Sequence, residues 1–377
     1  MKSKKILFIY YQNIKQNGVS RVLANLVSEL ADEGFEIEIL FLMAPHEDFY
    51  PINPKIKKHY VDSFADSYTR LGTKIVKKYT FIPKYYNIYS YLYDIGSYRV
   101  LKAWLKENHH NYDKIITCWY KLSSMLSLDK DLSKKTIAWE HISFETGGLF
   151  WFKTLRKYYR NLQGVVAINK AGYDFYKTIN PNTHIIYNTV GEPFEKTDYI
   201  KPDKKENIIA FAGRLEYDKN TSAFVDIIHK ANIPDDWRII IAGDGSERQK
   251  LENKVRENKI KNIEFVGRQN TTEIYELFKK SKIFCLTSRI EGLGMVLIEA
   301  MFCSNALISY DCHYGPSDIV NSENGFLIPL NKEKMFIEKL NILVSDKNKL
   351  NQLMESAYQE SNHWKKEKII EQWKKII

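Results

Sequence analysis

The sequence lacks several features that would restrict where the protein works. No hydrophobic run reaches the roughly 20 residues of a membrane-spanning helix. The apolar stretch after the basic N-terminus is too short for a secretion signal. No two cysteines have the CxxC spacing of a zinc or redox motif; they are Cys118, Cys285, Cys303 and Cys312. Three of them lie in apolar segments, where free thiols commonly pack. We therefore expect a cytoplasmic protein in a reducing compartment, with no metal site.

Low-complexity tracts and short internal repeats are also missing. At 377 residues, 44% of them hydrophobic, the chain is long enough for two cores, and two domains are expected. The net charge of +10 predicts an anionic partner, which is a phosphorylated substrate, a phospholipid surface or nucleic acid. No recognised nucleic-acid motif is present, so we expect no nucleic acid.

Short apolar strands alternate with helices along the whole chain, which predicts two largely parallel sheets. The predicted strands of the first half are residues 4–11, 35–42, 113–119, 134–141, 163–170 and 184–190, and those of the second are 207–215, 237–245, 262–268, 282–288 and 305–311. The expected fold is α/β, with two doubly wound, Rossmann-like domains facing each other across a cleft. Its boundaries are 1–190 for the first domain, 191–205 for a linker rich in charge and proline, 206–360 for the second domain and 361–377 for a final amphipathic helix.

The most informative segment is EGLGMVLIEAM, residues 291–301, which follows the predicted strand 282–288. Glu291 lies in a turn where its carboxylate can accept hydrogen bonds from hydroxyl groups, while Gly292 and Gly294 allow close backbone approach. The helix behind the turn points its free amides and positive dipole end at the same place, which suits a diphosphate. Arg214 and Lys219 follow another strand end and supply cations for a leaving group that gains negative charge. The pattern predicts a nucleotide-sugar site.

Several motifs then occur in the order found in one family. They are Gly213-Arg214-Leu215 with Lys219-Asn220, AGDGSERQKLE at 242–252, FVGR at 265–268, the acid pair Glu291 and Glu299, and YGPSDIVNSENGFLIP at 314–329. The second half thereby resembles the retaining GT-B glycosyltransferases of family 4, of the bacterial surface-polysaccharide type. In the first half NGVSRV, residues 17–22, is similar to the family's helix start, with Asn17 in place of the usual first glycine.

The resemblance implies roles for particular residues. Glu299 is similar to the family acid that holds the ribose hydroxyls, Glu291 to the one that meets the sugar, and His141 to a histidine near the reacting carbon. Glu140 beside it points to the opposite face of the strand. The residues expected to act in catalysis are His141, Arg214, Lys219 and Glu291, and those expected to bind the donor are Gly18, Gly213, Val266, Gly292, Leu293, Gly294, Met295, Val296 and Glu299. The final helix is expected to pack on the first domain.

The implied activity is metal-independent transfer, with retention, of a hexose or N-acetylhexosamine from a UDP-sugar to a glycan acceptor. A polyprenyl-diphosphate-linked acceptor and a place in bacterial capsule, O-antigen or teichoic acid synthesis follow from the same resemblance. No cofactor is expected, and the UDP-sugar is a co-substrate. Two alternatives remain open: a UDP-sugar 2-epimerase, which needs an acidic and histidine cluster that we do not find, and a non-catalytic GT-B partner protein.

Basic and aromatic residues are interleaved in two stretches of the first half, 70–107 and 150–162. The first contains Arg70, Lys74, Lys77, Lys78, Lys84, Arg99, Lys102, Lys106, Tyr79, Tyr85, Tyr86, Tyr89, Tyr91, Tyr93 and Tyr98, and the second Phe150, Trp151, Lys153, Arg156, Lys157 and Arg160. This mixture suits a membrane interface. We expect peripheral attachment to the anionic inner face of the cell membrane.

Overall fold

The computed structural model describes residues 4–78, 83–146 and 154–377, and in the helix that begins at Pro83 it describes side chains from residue 88 onward. The protein divides into two compact units. The first comprises the residues up to Ile168, Gly172–Asn188 and Ile370–Ile377, and the second comprises Asn169–Ala171 and Thr189–Ile369. Residues 191–205, interpreted above as a linker, belong to the second unit.

A seven-stranded sheet forms the centre of the first unit in the part of the chain that the structure describes. Its strands are β1 (Lys5–Tyr10), β2 (Glu36–Phe41), β3 (Lys57–Tyr60), β4 (Lys114–Thr117), β5 (Thr136–Glu140), β6 (Gly164–Ala167) and β7 (Thr183–Ile185). Their order is β3-β2-β1-β4-β5-β6-β7, and each adjacent pair is parallel. Strands β4, β5 and β6 are almost wholly buried, as in parallel sheets covered on both faces.

Helices of the first half connect these strands. They are α1 (Gly18–Asp32), α2 (Ser67–Lys78), α3 (Pro83–Asn108), α4 (Tyr120–Leu126) and α5 (Lys170–Lys177). In α1 the apolar residues recur at helical spacing, and Leu23, Leu26 and Leu30 are buried. The Asn17 side chain accepts a hydrogen bond from Val19 N at 2.8 Å, so Asn17 caps the start of this helix.

The second unit has a six-stranded parallel sheet among the described residues. Its strands are β8 (Ile208–Ala212), β9 (Arg238–Ala242), β10 (Ile263–Gly267), β11 (Ile283–Leu286), β12 (Ala306–Asp311) and β13 (Gly325–Pro329), in the order β10-β9-β8-β11-β12-β13. Its helices are α6 (Thr221–Lys230), α7 (Arg248–Glu257), α8 (Thr271–Lys280), α9 (Met295–Phe302), α10 (Pro316–Ile319), α11 (Glu333–Ser345) and α12 (Lys347–Ser361). One apolar core, which includes Ile209, Ile241 and Phe224, holds the sheet against these helices.

The prediction of two doubly wound α/β domains is confirmed, and each predicted strand overlaps an observed one, although the predicted strand 184–190 shares only two residues with β7. The structure adds β3 and β13, which the sequence analysis missed. Strand β3 has the sequence KKHY and lies at the edge of its sheet, where polar side chains replace the apolar pattern. Strand β13 is the GFLIP end of the segment 314–329, which was treated only as a motif.

The predicted linker is held firmly at Lys205, which is buried in the second unit. Its ammonium donates to the carbonyl oxygens of Phe278 at 3.0 Å, Ser281 at 2.6 Å and Cys303. Burial lowers the pKa of Lys205 to about 7. These carbonyls lie at the C-terminal ends of α8 and α9, where a cation is favourable.

The last residues of the chain belong to the first unit. Helix α13 (Lys366–Lys374) places Trp373 against Trp139 of β5, with ring centres 5.2 Å apart. Lys374 Nζ lies 2.5 Å from Glu33 Oε2, just after α1. Trp373 is fully buried, so the end of the chain contributes to the core of the first unit.

All four cysteines are free and buried. Among the described residues no helix is long and apolar enough to cross a membrane. The same residues contain no group of three or more His, Cys, Asp or Glu side chains that could hold a metal ion.

Candidate functional site

The strand order of the second unit creates a crevice between β8 and β11. The chain passes from β8 to β9 on one side and reaches β11 on the other, so the loops after β8 and β11 diverge at their carboxyl ends. Open α/β sheets bind ligands at such a switch point. The loop after β8 begins at Gly213 and Arg214, and the loop after β11 leads through Glu291 to Gly294.

Lys219 and Glu291 form an ion pair across this switch point. Lys219 Nζ lies 2.6 Å from Glu291 Oε1, and the Ser288 hydroxyl donates to the same oxygen at 2.6 Å. The side chains of Lys219 and Glu291 are only 20% and 9% exposed. Partial burial strengthens the electrostatic attraction relative to a surface pair. The structure thus brings together two of the four residues predicted to act in catalysis.

Arg214 is placed differently from Lys219. Its guanidinium donates to Asp218 Oδ2 at 2.8 Å, and 68% of its side chain is exposed. A second arginine, which the sequence analysis missed, is half-buried: Arg289 donates to Asn220 Oδ1 at 2.7 Å, and its guanidinium lies 4.5 Å from the centre of the Tyr217 ring. These contacts tie the loop after β8 to the loop after β11.

The turn before α9 depends on glycine. Gly294 precedes the helix with φ 90°, a left-handed conformation that a side chain would strain. Leu293 is 2% exposed, and a side chain at Gly315 would collide with the carbonyl oxygen of Leu293. A β-bridge also joins Ile290 to His313. The segment after β12 therefore packs directly against the turn.

Helix α9 carries the remaining residues predicted in this segment. Met295 and Val296 form its first turn and are half-buried, whereas Glu299 lies in its second turn and is 4% exposed. Cys312 is close enough to the ion pair to be affected by it, because burial and the charge of Glu291 raise the pKa of its thiol to about 12. The thiol therefore stays neutral at physiological pH.

The ends of β8, β9 and β10 come together through backbone contacts. Gly213 N donates to Ala242 O at 3.0 Å, and Gly243 N donates to Gly267 O at 2.7 Å. A side chain at Gly243 would collide with the carbonyl oxygen of Gly213. Val266 is half-buried near the end of β10, next to this row. The result is a backbone-lined edge that a flat ligand can approach closely.

In the first unit, Gly18 is the first residue of α1 and has open space where a side chain would begin. Asn17 has an extended backbone, with φ −155°. An asparagine can therefore stand where the family usually has glycine without adopting a left-handed conformation. The helix follows β1, which neighbours β4 at the switch point of this sheet. Gly18 therefore lies at the carboxyl edge of its own sheet.

His141 and Glu140, at the end of β5, have different surroundings. The Glu140 carboxylate accepts hydrogen bonds from the hydroxyls of Tyr159 and Tyr176, each at 2.7 Å, and lies 3.7 Å from the Arg156 guanidinium. The His141 ring lies 4.2 Å from Trp139, and its Nε2 is buried with no hydrogen-bond partner among the described residues. Burial lowers the pKa of His141 to about 3, so the ring is neutral.

Some residues of the predicted membrane stretches lie outside the described residues. They are Tyr79, Phe150, Trp151 and Lys153, together with the side chains of Lys84, Tyr85 and Tyr86. Of the second stretch, Arg156 is fully buried and paired with Glu140. It therefore does not belong to a surface.

Two family models match the chain, one on each half. Glycosyltransferase Family 4 matches residues 16–191, and Glycosyl transferases group 1 matches residues 194–360. The chain belongs to the GT-B glycosyltransferases of family 4. In this glycosyltransferase the second match contains the Lys219–Glu291 pair and the whole of α9.

Relatives of this glycosyltransferase support the assignment. The chain is 35% identical over 178 residues to the GalNAc-α-(1→4)-GalNAc-α-(1→3)-diNAcBac-PP-undecaprenol α-1,4-N-acetyl-D-galactosaminyltransferase of Campylobacter jejuni, which covers 46% of this chain and 48% of the relative. The alignment thus spans about half the length of that relative. This chain is also 24% identical to the amylovoran biosynthesis glycosyltransferase AmsD of Erwinia amylovora, in an alignment that covers 99% of each chain.

Solved structures show the same two-domain architecture. The lipopolysaccharide outer core galactosyltransferase WaaB superposes with a TM-score of 0.74 at 19% identity, covering 99% of this chain and 98% of that one. Anabaena HepE in complex with UDP superposes with a TM-score of 0.72 at 16% identity, covering 98% of each chain. These likenesses establish that the glycosyltransferase has the GT-B fold that the sequence predicted.

Proposed function

We propose that the protein is a retaining, metal-independent hexosyltransferase that uses a UDP-sugar donor. The observation that carries the proposal is the Lys219–Glu291 pair at the switch point of the second unit, beside the start of α9. A nucleotide sugar offers each partner a complementary group: hydroxyls for the carboxylate and a diphosphate for the ammonium. The transferred sugar is a hexose or an N-acetylhexosamine.

The hydrogen-bonding capacity of the pair fits this role. Lys219 has three N–H donors and gives one to Glu291, so two are available for phosphate oxygens. Both described hydrogen bonds to Glu291 are to Oε1, which leaves Oε2 for a sugar hydroxyl. A fixed cation at this place stabilises the charge that develops on the departing diphosphate. We further propose that Arg214, which is exposed and ion-paired with Asp218, adds a second cation when the donor binds.

In the proposed reaction the bond between the anomeric carbon and the UDP oxygen breaks, and the acceptor oxygen bonds to the same face of that carbon. The acceptor proton passes to the departing phosphate oxygen, so no side chain is needed as a base. The buried, neutral His141 is suited to orienting the sugar and not to carrying a proton. Retention of configuration follows from attack on the face that UDP leaves.

We assign the remaining donor contacts by position. Glu299 is proposed to hold the ribose hydroxyls, and the backbone beside Val266 to receive the nucleobase. The amides of Gly292, Leu293, Gly294, Met295 and Val296 are proposed to meet the phosphates and the sugar, while Gly213 and Gly18, which lack side chains, are proposed to let the donor approach the backbone closely. The bound UDP in HepE and the UDP-glucose in another structure of that protein support this donor class.

The acceptor is proposed to be a polyprenyl-diphosphate-linked glycan of a bacterial surface polysaccharide. The name of the Campylobacter relative specifies a diphosphate-linked undecaprenol acceptor, AmsD is named for amylovoran biosynthesis, and WaaB is named for the lipopolysaccharide outer core. A lipid-linked acceptor requires the enzyme to work at a membrane.

Helices α2 and α3 provide a surface that fits a membrane. Glycines at their contact bring them close together: a side chain at Gly96 would collide with Thr69, and one at Gly72 would lie 3.1 Å from Tyr89. Large apolar side chains consequently remain outside the contact. The exposed ones near or on the two helices are Phe64, Tyr68, Leu71, Ile88, Tyr91 and Ile95, which we call the hairpin face.

The charged side chains near the hairpin face are mainly positive, which favours an anionic membrane surface as its partner. Arg99 connects its two parts, because its guanidinium lies 5.0 Å from the Tyr68 ring and its Nε 3.2 Å from Asp66. The buried Asp94 is neutralised by Lys121 at 2.7 Å. The exposed charges along α2 are positive, from Arg70, Lys74, Lys77 and Lys78. We therefore propose that the hairpin face binds the anionic leaflet of the cell membrane.

A thermal-shift screen against UDP, GDP, ADP and a panel of UDP-sugars tests the donor, because a ligand that binds only the folded state raises the melting temperature. We expect UDP and one UDP-sugar to stabilise the protein. Lys219→Ala should then lower kcat by roughly 10²- to 10³-fold with the fold intact, whereas the exposed Lys250→Ala should not. Stabilisation by no nucleotide would favour the non-catalytic alternative, and normal turnover of Lys219→Ala would reject the leaving-group role.

Vesicle co-sedimentation tests the membrane surface. Replacing Lys74, Lys77 and Lys78 together by alanine should weaken binding to anionic vesicles while donor hydrolysis is unchanged. A matched variant in which the exposed Lys250, Lys261 and Lys334 are replaced by alanine loses the same charge and should bind as the parent does. Equal weakening in both variants would show a general charge effect and not a defined surface.

A further inference from the structure

A second concave site lies at the opposite edge of the first unit's sheet. A cavity of about 160 Å³ opens beside the first residues of β4 and β6, away from the carboxyl ends that carry Gly18 and His141. Its polar lining consists of Lys114, Gln163, Gly164, Asn182, His184 and Lys375. The volume is several times the roughly 30 Å³ that one water molecule occupies in the liquid. The cavity can therefore hold a small polyatomic ligand.

The lining of this cavity is cationic. Two lysines, the half-buried Lys114 and the exposed Lys375, are among its lining residues, and no acidic residue lines the cavity among the described residues. Burial lowers the pKa of Lys114, and the nearby charge of Lys4 lowers it further, while Asp113 acts in the opposite sense. Burial and Lys177 likewise lower the pKa of His184. The lining side chains thus carry positive charge without a lining carboxylate, which favours an anion as the ligand.

The uncharged wall of the cavity is ordered by hydrogen bonds. Asn182 Nδ2 donates to Gln163 O at 2.5 Å, and Asn182 Oδ1 lies 2.8 Å from His184 Nε2. Gly164 allows this close packing, since a side chain there would lie 3.0 Å from Asn182. One polar atom is left over: Gln163 Oε1 is buried and accepts no hydrogen bond from a described residue. A buried acceptor without a donor is costly unless a ligand or water supplies one.

We propose that this cavity is a binding site for a phosphate anion that carries one hydroxyl group. Lys114 and Lys375 match the negative oxygens with charge-assisted hydrogen bonds. Gln163 Oε1 matches the hydroxyl, which monohydrogen phosphate has and sulfate lacks. Nothing in the donor site is involved, so the cavity is an additional site of the first unit.

The cavity lies near a pair of tryptophans that can report its occupancy. Lys375 follows Trp373 by two residues, and Ile137, which lines the cavity, precedes Trp139 by two. Trp373 contacts Trp139, which in turn contacts His141. An anion held by Lys375 would fix the end of α13, and we expect tryptophan fluorescence to change with it.

The test is a titration of the full chain with inorganic phosphate at constant ionic strength. Binding is measured by calorimetry and by tryptophan fluorescence. We expect saturable binding with a Kd below about 1 mM, roughly tenfold weaker in Lys114→Met and in Lys375→Met, as befits loss of one charge-assisted hydrogen bond. Lys134→Met, which removes an exposed lysine just before β5, should bind as the parent does. Sulfate should bind more weakly than phosphate, and Gln163→Leu should remove that preference.

Glycerol phosphate tests the ester form of the ligand: its dianion has no hydroxyl on phosphorus, so we expect weaker binding than for inorganic phosphate, and equally tight binding would reject the hydroxyl contact with Gln163. Lys219→Ala separates the cavity from the donor site and should leave phosphate affinity unchanged. The proposal is overturned if phosphate does not saturate up to roughly 10 mM, if Lys219→Ala abolishes binding, or if Lys134→Met weakens it as much as Lys114→Met. Equal affinity for sulfate would reject the role of Gln163.

Discussion

At the scale of single residues, Glu140 and His141 show what a sequence can and cannot reveal. Alternation along a strand was enough to predict that only one of the two faces a ligand. The partners of Glu140 could not be predicted, because Arg156, Tyr159 and Tyr176 come from elements that only the fold brings together. Arg156 was even assigned to a surface stretch, since a sequence does not show that an arginine is buried against a carboxylate.

Acid should destabilise the protein through His141. Its pKa is about 3 in the folded protein but near 6.5 when unfolded, so the unfolded chain binds the extra proton between these values. Stability is therefore fully present above about pH 6.5 and falls as the pH drops towards 3. Between pH 6.5 and 4.5 we expect a loss of about 2 to 3 kcal/mol from this residue. Urea unfolding at a series of pH values measures it.

The matched variant for this prediction is His141→Gln, which keeps a polar side chain that does not titrate. Its stability should depend less on pH than that of the parent over the same interval. The exposed His110→Gln serves as the control and should leave the pH dependence unchanged. Parallel curves for the parent and His141→Gln would contradict a buried, neutral His141.

At the scale of elements, apolar runs were reliable predictors, and polar edges were not. Strands such as β5 and β11 are wholly buried, and their apolar runs were enough to predict them from the sequence. Strand β3, KKHY, is stabilised by its neighbour and by side-chain pairs such as His59 with Glu38 at 2.6 Å, which its own residues do not reveal. Lys205 was interpreted as a linker residue because it lies in a charged, proline-containing segment. Its burial could not be predicted, since its three carbonyl partners come from helix ends that are distant in the sequence.

The turn before α9 should fail if a side chain is added at Gly294. Its φ of 90° and a contact of 3.3 Å from an added Cβ to Leu297 make Gly294→Ala strained, at a cost of about 1 to 2 kcal/mol. The melting temperature should fall, and so should affinity for the proposed UDP donor. In contrast, Gly18→Ala adds a methyl group into open space at the start of α1 and should not reduce stability. Equal melting temperatures for parent and Gly294→Ala would show that the turn relaxes freely.

The contact between α2 and α3 should depend on Gly96 in the same way. A side chain there collides with Thr69, so Gly96→Ala should separate the helices and destabilise the protein by about 1 to 3 kcal/mol. Ile88→Ala, on the exposed side of the same helix, should cost little. Hydrogen exchange of the α2 amides distinguishes the two variants. Unchanged protection of α2 in Gly96→Ala would mean that the glycine is not needed for this contact.

At the scale of the whole molecule, the two units each have a doubly wound sheet, and the sequence rhythm alone predicted both. Their boundary could be placed only approximately, since charge and proline at 191–205 indicate a surface segment and not which unit holds it. The tail was recognisable as an amphipathic helix, and the resemblance implied packing on the first domain, but its contact residues could not be predicted, because Trp373 meets Trp139 across most of the chain length.

Removing Trp373 should therefore weaken the first unit and not the second. The side chain is fully buried against Trp139, and truncating a buried tryptophan to alanine costs about 3 to 5 kcal/mol. Trp237, which lies in the core of the second unit, provides the matched variant. Hydrogen exchange read separately over β1 and β5, and over β8 and β9, should show faster exchange in the first pair for Trp373→Ala and in the second pair for Trp237→Ala. If Trp373→Ala instead accelerated exchange equally in all four strands, the two units would unfold together, and the end of the chain would stabilise the molecule as a whole.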